Sequence, residues 1–190
     1  MGKLDENREA TRARLIALGI QRFPRKGYAA TSVRDVLAGS GLSIGAFYHH
    51  FAGKDEFFLA ILDAVSKERE PFGELVAAAR PESLREALLV GMGPIASGAD
   101  GAPLSLVVAD FVLQHPEHRP RIAAIRRHAV RELAGFIAAL QESGLARADR
   151  PAEDLASMVF AAVEGHVFHE QIYGEGFQTA LDAAVRLLEP

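Results

Sequence analysis

Apolar residues recur three and four positions apart along most of this chain, and sustained apolar–polar alternation is not found. The spacing predicts an all-α protein of about nine helices, over 5–24, 32–39, 43–50, 54–70, 83–97, 103–115, 119–143, 152–173 and 177–188. Glycine and proline punctuate the pattern. The first helix is expected to stop near Pro24-Arg25-Lys26-Gly27, where proline and then glycine halt propagation and cations suit the negative helix end. Gly19, inside that helix, is expected to cost up to about 1 kcal/mol relative to alanine.

The next two helices are short. Thr31 and Ser32 supply an N-cap, and Ser32-Val33-Arg34-Asp35 has the spacing of a capping box. Gly39-Ser40-Gly41 makes a sharp turn, Ser43 caps the following helix, and Ala52-Gly53 ends it. Lys54-Asp55-Glu56 opens a fourth helix with two acids where the dipole favours them. Two short helices joined by a glycine-containing turn and braced by a longer one describe a helix-turn-helix. Leu15, Leu18, Phe23, Val33, Val36, Leu37 and Leu42 are spaced to form its small core.

Charge sharpens this picture. The formal net charge is −4, yet Arg8 to Lys54 holds eight Lys or Arg against two acids, and Asp63 to Pro190 holds 12 against 19. A basic head on an acidic body points to a phosphate-bearing partner. From Gly39 to Gly53 there is no acid at all. A helix that enters the major groove with its first residues at the base edges requires this. Ser43 can donate to a base or phosphate, Gly45 and Ala46 let the backbone approach, and Tyr48, His49 and Lys54 are donors suited to phosphate oxygens. Phe47 and Phe51 are expected in the core instead.

The residues Phe23, Gly27-Tyr28, Thr31-Ser32, Ser40-Gly41-Leu42-Ser43, Gly45-Ala46-Phe47-Tyr48-His49-His50-Phe51 and Lys54-Asp55-Glu56 together resemble the N-terminal DNA-binding domain of the tetracycline-repressor (TetR) family of bacterial transcription regulators. The resemblance covers about the first third of the chain. It implies a helix-turn-helix domain over residues 1–53 and a helical effector-binding and dimerisation domain over 54–190, acting together on a palindromic duplex operator. The DNA-contacting set it implies is Thr31, Ser32, Arg34, Ser43, Ile44, Gly45, Ala46, Tyr48, His49 and Lys54. Residues 43–50 contain no Arg, Lys, Asn or Gln, so readout is expected from Ser43, methyl contacts of Ile44 and Ala46, Arg34, and DNA shape.

In the acidic body, Ala152–Tyr173 is apolar almost all round, and Phe177–Leu188 is cleanly amphipathic. A pair this apolar exceeds what one protomer readily covers, and the resemblance implies a homodimer through it. Leu155, Val159, Ala162, His166, Phe177, Leu181, Ala184 and Leu188 are the expected interface; packing within one protomer is the alternative. Met92, Phe111, His128, Phe136, Met158, Phe160 and Phe168 are candidate lining for a pocket that takes a largely apolar small-molecule effector, with ordinary core packing as the alternative for each. Pro71 is expected to break or kink the connecting helix, as a hinge or as a plain corner.

Other classes find little support. The absence of cysteine excludes disulfides, thiol catalysis and Cys-ligated zinc. Met1–Arg14 lacks the apolar core of a secretion signal, and the most apolar run, Leu104–Leu113, is too short for a bilayer, so a cytoplasmic protein without membrane contact is expected. His169-Glu170 begins like a zinc-protease helix, but position 173 is Tyr, so the second ligand is missing. No catalytic, metal or cofactor site is expected; the rival readings are a helical enzyme with a His-based site at 166–170 or an adaptor whose basic head binds protein or membrane.

Overall fold

The computed structural model describes residues 3–67, 81–96, 104–174 and 177–190. Among the described residues there are nine α-helices and no strand: α1 (Lys3–Ala30), α2 (Val33–Leu37), α3 (Ile44–His50), α4 (Lys54–Lys67), α5 (Leu84–Ala96), α6 (Leu104–Gln114), α7 (Arg119–Glu142), α8 (Ala152–Tyr173) and α9 (Phe177–Leu188). They gather into two compact units, residues 1–68 with 99–119 and residues 69–98 with 120–190.

The first unit is built on aromatic rings. Phe23, Tyr28, Phe47, Phe51, Phe57, Phe58 and Phe111 are all buried. Ring centroids lie 5.0 Å apart for Phe23–Phe58, 4.7 Å for Tyr28–Phe111 and 4.9 Å for Phe51–Phe57, the offset and edge contacts aromatic quadrupoles prefer. Because α4 supplies Phe57, Phe58 and Ile61 and α6 supplies Phe111, the expected boundary at residues 53/54 falls inside this unit. Phe111 accordingly sits in the core of the head, edge-on to Tyr28, tilted against Phe58 and stacked with the rings of His115 and His118, and is no longer a pocket candidate.

Two expectations for α1 change. Pro24 lies within the helix, and regular geometry is interrupted at Gly27, with φ 78° and ψ 172°. The proline removes one amide donor, a cost offset by the burial of Phe23 and Tyr28 on either side of it. Gly27 adopts a backbone that a side-chain-bearing residue resists. Gly19 is required by packing: a Cβ there would stand 2.3 Å from Ile61 Cδ1 and 2.7 Å from Phe57 Cζ, both atoms of fully buried side chains. The missing side chain lets α1 and α4 approach.

The second unit packs α5, α7, α8 and α9 around one core, with Leu84, Ala87 and Leu88 from α5, Ala134, Phe136, Ile137 and Leu140 from α7, Leu155, Ala156 and Val159 from α8, and Leu181, Ala184 and Leu188 from α9. Gly144, at φ 75°, closes the turn after α7, and Arg147 N–H donates to Leu188 O at 2.8 Å. Five residues expected at a dimer interface, Leu155, Val159, Leu181, Ala184 and Leu188, are therefore core of one protomer, because α9 folds back onto α8 and α5. Phe136 belongs to the same core. Pro71 and the side chains of Met92 and Phe177 lie outside the described residues.

Candidate nucleic-acid interface

Local hydrogen bonds fix the short helices of the head. Ser32 caps α2: its hydroxyl oxygen accepts from Asp35 N–H at 3.1 Å, and Asp35 Oδ2 accepts from Ser32 N–H at 3.0 Å, which completes the capping box. The Ser32 hydroxyl donates to Asp35, Lys26 pairs with it at 3.0 Å, and these bonds hold the Asp35 carboxyl well below the usual carboxylate range. Ser43 caps α3 by accepting from Ala46 N–H at 3.0 Å.

The turn between α2 and α3 is held from beneath by α1. Arg14 donates to Ser40 O at 2.5 Å and Arg22 to Ala38 O at 3.0 Å. The Ser40 hydroxyl donates to Leu37 O at 2.7 Å and accepts from Leu42 N–H at 3.1 Å. Gly39 and Gly41 both stand at φ 74°. Sequence reasoning counted these two arginines only as charge. Their work is to satisfy carbonyls that the glycine turn leaves open.

On this frame α3 buries Phe47 and turns Ser43, Ile44, Gly45, Tyr48 and His49 outward, with Ile44 at 42% and Tyr48 at 55% exposure. Ala46 is half-buried, and Ser32 and Arg34 are exposed on the neighbouring helix start. Two expected contacts are placed differently. Thr31 is buried, and its hydroxyl donates to Gly27 O at 2.7 Å, so it holds the break in α1. Lys54 Nζ donates to Tyr28 O at 3.0 Å and lies 4.2 Å from the Tyr28 ring centroid, so its charge is engaged within the head. The Ala52 amide at the start of α4 is likewise taken, by Glu56 Oε2 at 2.6 Å.

Tyr28 is the junction of the head. Its hydroxyl donates to Asp55, whose other oxygen lies 3.4 Å from His115 Nδ1. Burial first, and then the Asp55 hydrogen bond, push the phenol above its usual range. From α6, Asp110 Oδ2 accepts from Ala29 N–H at 3.1 Å. A single α6 carboxylate thus ties down the backbone that leads into α2.

In the second unit, Phe160, His128, Ala162 and His166 are half-buried, while Met158 and Phe168 are exposed. Arg126 stands over the Phe160 ring at 5.1 Å and pairs with Glu164 at 3.9 Å. Burial raises the Glu164 carboxyl, against the pull of Arg126. His166 Nδ1 is buried without a hydrogen-bond partner. The His166 and His169 rings lie 6.5 Å apart, and among the described residues no group of three His, Asp or Glu is placed to hold a metal ion. No described helix is long and apolar enough to cross a membrane.

An all-helical chain whose first unit is a braced helix-turn-helix with an acid-free outer helix has the architecture of a DNA-binding helical regulator. Residues 15–61 match the family described as bacterial regulatory proteins, tetR family. The repressor KstR2 of Mycobacterium tuberculosis is 44% identical over 45 residues, 24% of this chain and 22% of that protein. The repressor Rv3405c of the same organism is 29% identical over 111 residues, 57% of each chain. The match thus spans about a fifth to just over half of those relatives. Among solved structures, reduced NemR of Escherichia coli aligns at a TM-score of 0.76 with 18% identity, over 95% of this chain and 100% of that one. A TetR-family regulator of Cytophaga hutchinsonii aligns at 0.74 with 21% identity, over 96% of each. At such identities the likeness is one of fold.

Proposed function

We propose that this chain is a transcription regulator, most simply a repressor, that binds a palindromic duplex operator as a homodimer and is released by a small-molecule effector. The reading rests on the outer face of α3: an exposed surface of Ser43, Ile44, Gly45, Tyr48 and His49 with no acid from Gly39 to Gly53. A carboxylate on that face would repel phosphate; its absence in an otherwise acidic chain supports a surface made for DNA. Tyr48 and His49 serve phosphate, while Ser43, Ile44 and Ala46 meet base edges. With no long amide or guanidinium on α3, sequence preference comes from methyl contacts, Arg34 and groove shape.

The dimer face differs from the one sequence spacing named. On α8, Met158, Ala161, Gly165, Phe168 and Ile172 are all exposed, spaced alternately three and four residues apart, the seam of paired helices. They fit a second copy of the same face across a two-fold axis. The effector is sensed in the second unit, near Phe160, Arg126, Glu164 and His166, where a polar cluster adjoins an aromatic ring.

Selection of duplexes from a random pool by the purified chain tests the reading. A palindrome whose half-sites lie about one helical turn, ~34–36 Å, apart supports it. Failure to enrich any sequence, together with no binding to duplex at low salt, overturns it.

A further inference from the structure

The core-facing stripe of α7 changes character towards its N-terminal end. Leu140, Ile137, Leu133 and Val130 follow one another at steps of three and four residues; the first two are buried and the other two pack against the same core. The next position on that stripe is Arg126. A charge on the core side of a helix is costly to desolvate unless a partner satisfies it. Ile122 and Ala129, one turn to either side of Arg126, are half-buried.

The partners Arg126 has are weak ones. Its guanidinium stands 5.1 Å from the Phe160 ring centroid, and its Nε lies 3.9 Å from Glu164 Oε2, beyond hydrogen-bonding reach. Among the described residues no acceptor fills the fork of donors. Burial raises the Glu164 carboxyl, which makes it a poor permanent counter-ion. The Arg126 and Glu164 side chains remain 45% and 46% exposed, so a small molecule reaches both. Neither Phe160 nor Glu164 belongs to the α8 stripe of Met158, Ala161, Gly165, Phe168 and Ile172, so pairing of that face does not use them.

We propose that Arg126 anchors the effector site and that the effector is an amphipathic monocarboxylic acid, with its carboxylate on the guanidinium and its apolar body along Phe160. The inference rests on the effector reading above and gives that site a ligand class. A carboxylate accepts two parallel N–H bonds from one guanidinium, which the loose Glu164 contact does not supply. An alcohol of the same shape brings no charge and fills less of the fork. An amine brings a second positive charge beside the first. A dianion meets Glu164 as well as Arg126. The Phe160 ring, with Ile122 and Ala129 flanking the arginine, offers the apolar surface that the rest of such a molecule needs.

Isothermal titration of the full chain with phenylbutyrate, phenylbutanol and phenylbutylamine, and with octanoate, octanol and octylamine, tests this. The acid of at least one series is expected to bind about tenfold more tightly than its alcohol and its amine. That comparison needs no variant. Arg126→Gln should weaken acid binding about tenfold, and Arg126→Lys should recover part of the loss, since it keeps the charge without the fork. Glu164→Gln should bind the acid at least as tightly as wild type. Arg127→Gln, which removes an exposed charge one residue away, should leave the affinity unchanged. The carboxylate site is overturned if neither acid binds, if an alcohol or amine binds as tightly as its acid, or if Arg126→Gln keeps full affinity. An equal loss in Arg127→Gln overturns it too, because net charge alone then explains the result. An alcohol or amine that binds and weakens the hold of the chain on a labelled duplex keeps the effector reading and overturns the ligand class. An acid that binds through Arg126 without changing duplex affinity keeps the site and overturns the effector reading.

Discussion

Gly19 has no positive φ and ends no helix, so its necessity lies wholly in its neighbours. Ile61 and Phe57 occupy the space a methyl group needs, and both are fully buried. Gly19→Ala gains about 1 kcal/mol of helix propensity but overpacks the core at a typical cost of 1–3 kcal/mol. The variant is expected to be less stable by about 1 kcal/mol, measured by denaturant titration; a stabilised variant would show that the α1–α4 contact yields easily. Lys54 and His49 separate in the same way. Lys54→Ala removes a charged hydrogen bond to Tyr28 O and should lower stability by about 1–2 kcal/mol with little change in the salt dependence of DNA binding. His49→Ala should leave the melting temperature alone and weaken every duplex several-fold. The opposite pattern would return Lys54 to the phosphate contacts. His49 was read from the sequence as a phosphate donor, but the role of Lys54 was not legible there, because it depends on Tyr28, which faces it from a helix 26 residues earlier. Thr31 differs: its type fits a cap or a phosphate contact, but the break in α1 at Gly27 directs its hydroxyl back to Gly27 O, four residues earlier.

Among the helices, the starts were easier to read than the stops. Ser32 and Ser43 cap α2 and α3 as their spacing predicts, since a cap is a contact between residues three apart. Pro24 was taken as a stop because its local cost is known, but the gain from burying Phe23 and Tyr28 around it is not a local quantity. The α2 cap makes a pH prediction. Asp35 is held below the usual carboxylate range by Ser32 and Lys26, so its ionised form is favoured in the folded protein. A depressed value contributes stability that is complete above the unfolded value of about 4 and is lost as pH falls below it. Asp35→Asn should therefore melt at lower temperature than wild type at pH 7, and the gap should narrow steadily below about pH 4. A gap that persists unchanged into acid would mean the cap works without the charge.

Two units were expected from the sequence, but which segments belong to each was hidden, because the aromatic core of the head recruits Phe57 and Phe58 from α4 and Phe111 from α6. The basic head and acidic body were plain; the fold reassigned which helices serve each. The same holds at the far end of the chain. α8 is apolar nearly all round, and a helical wheel alone cannot say which apolar stripe meets its own protomer. Leu155 and Val159 answer that by lying in the core with Leu181, Ala184 and Leu188, which leaves the stripe of Met158, Ala161, Gly165, Phe168 and Ile172 open. A stripe of three large apolar side chains around two small ones invites a matching helix to approach closely, and a second copy supplies one by symmetry. Gly165 lies at its centre with no atom within 4 Å of where a Cβ would stand, so Gly165→Arg fits the isolated protomer without strain but blocks the face. Sedimentation of wild-type protein should give a dimer and Gly165→Arg a monomer with an unchanged helical circular-dichroism spectrum. The monomer should also bind a two-half-site duplex at least tenfold more weakly, because the second head no longer binds at high effective concentration. A Gly165→Arg protein that stays dimeric would move the interface elsewhere, whereas Leu155→Ala should damage the fold before it affects association, at a cost of about 2–5 kcal/mol.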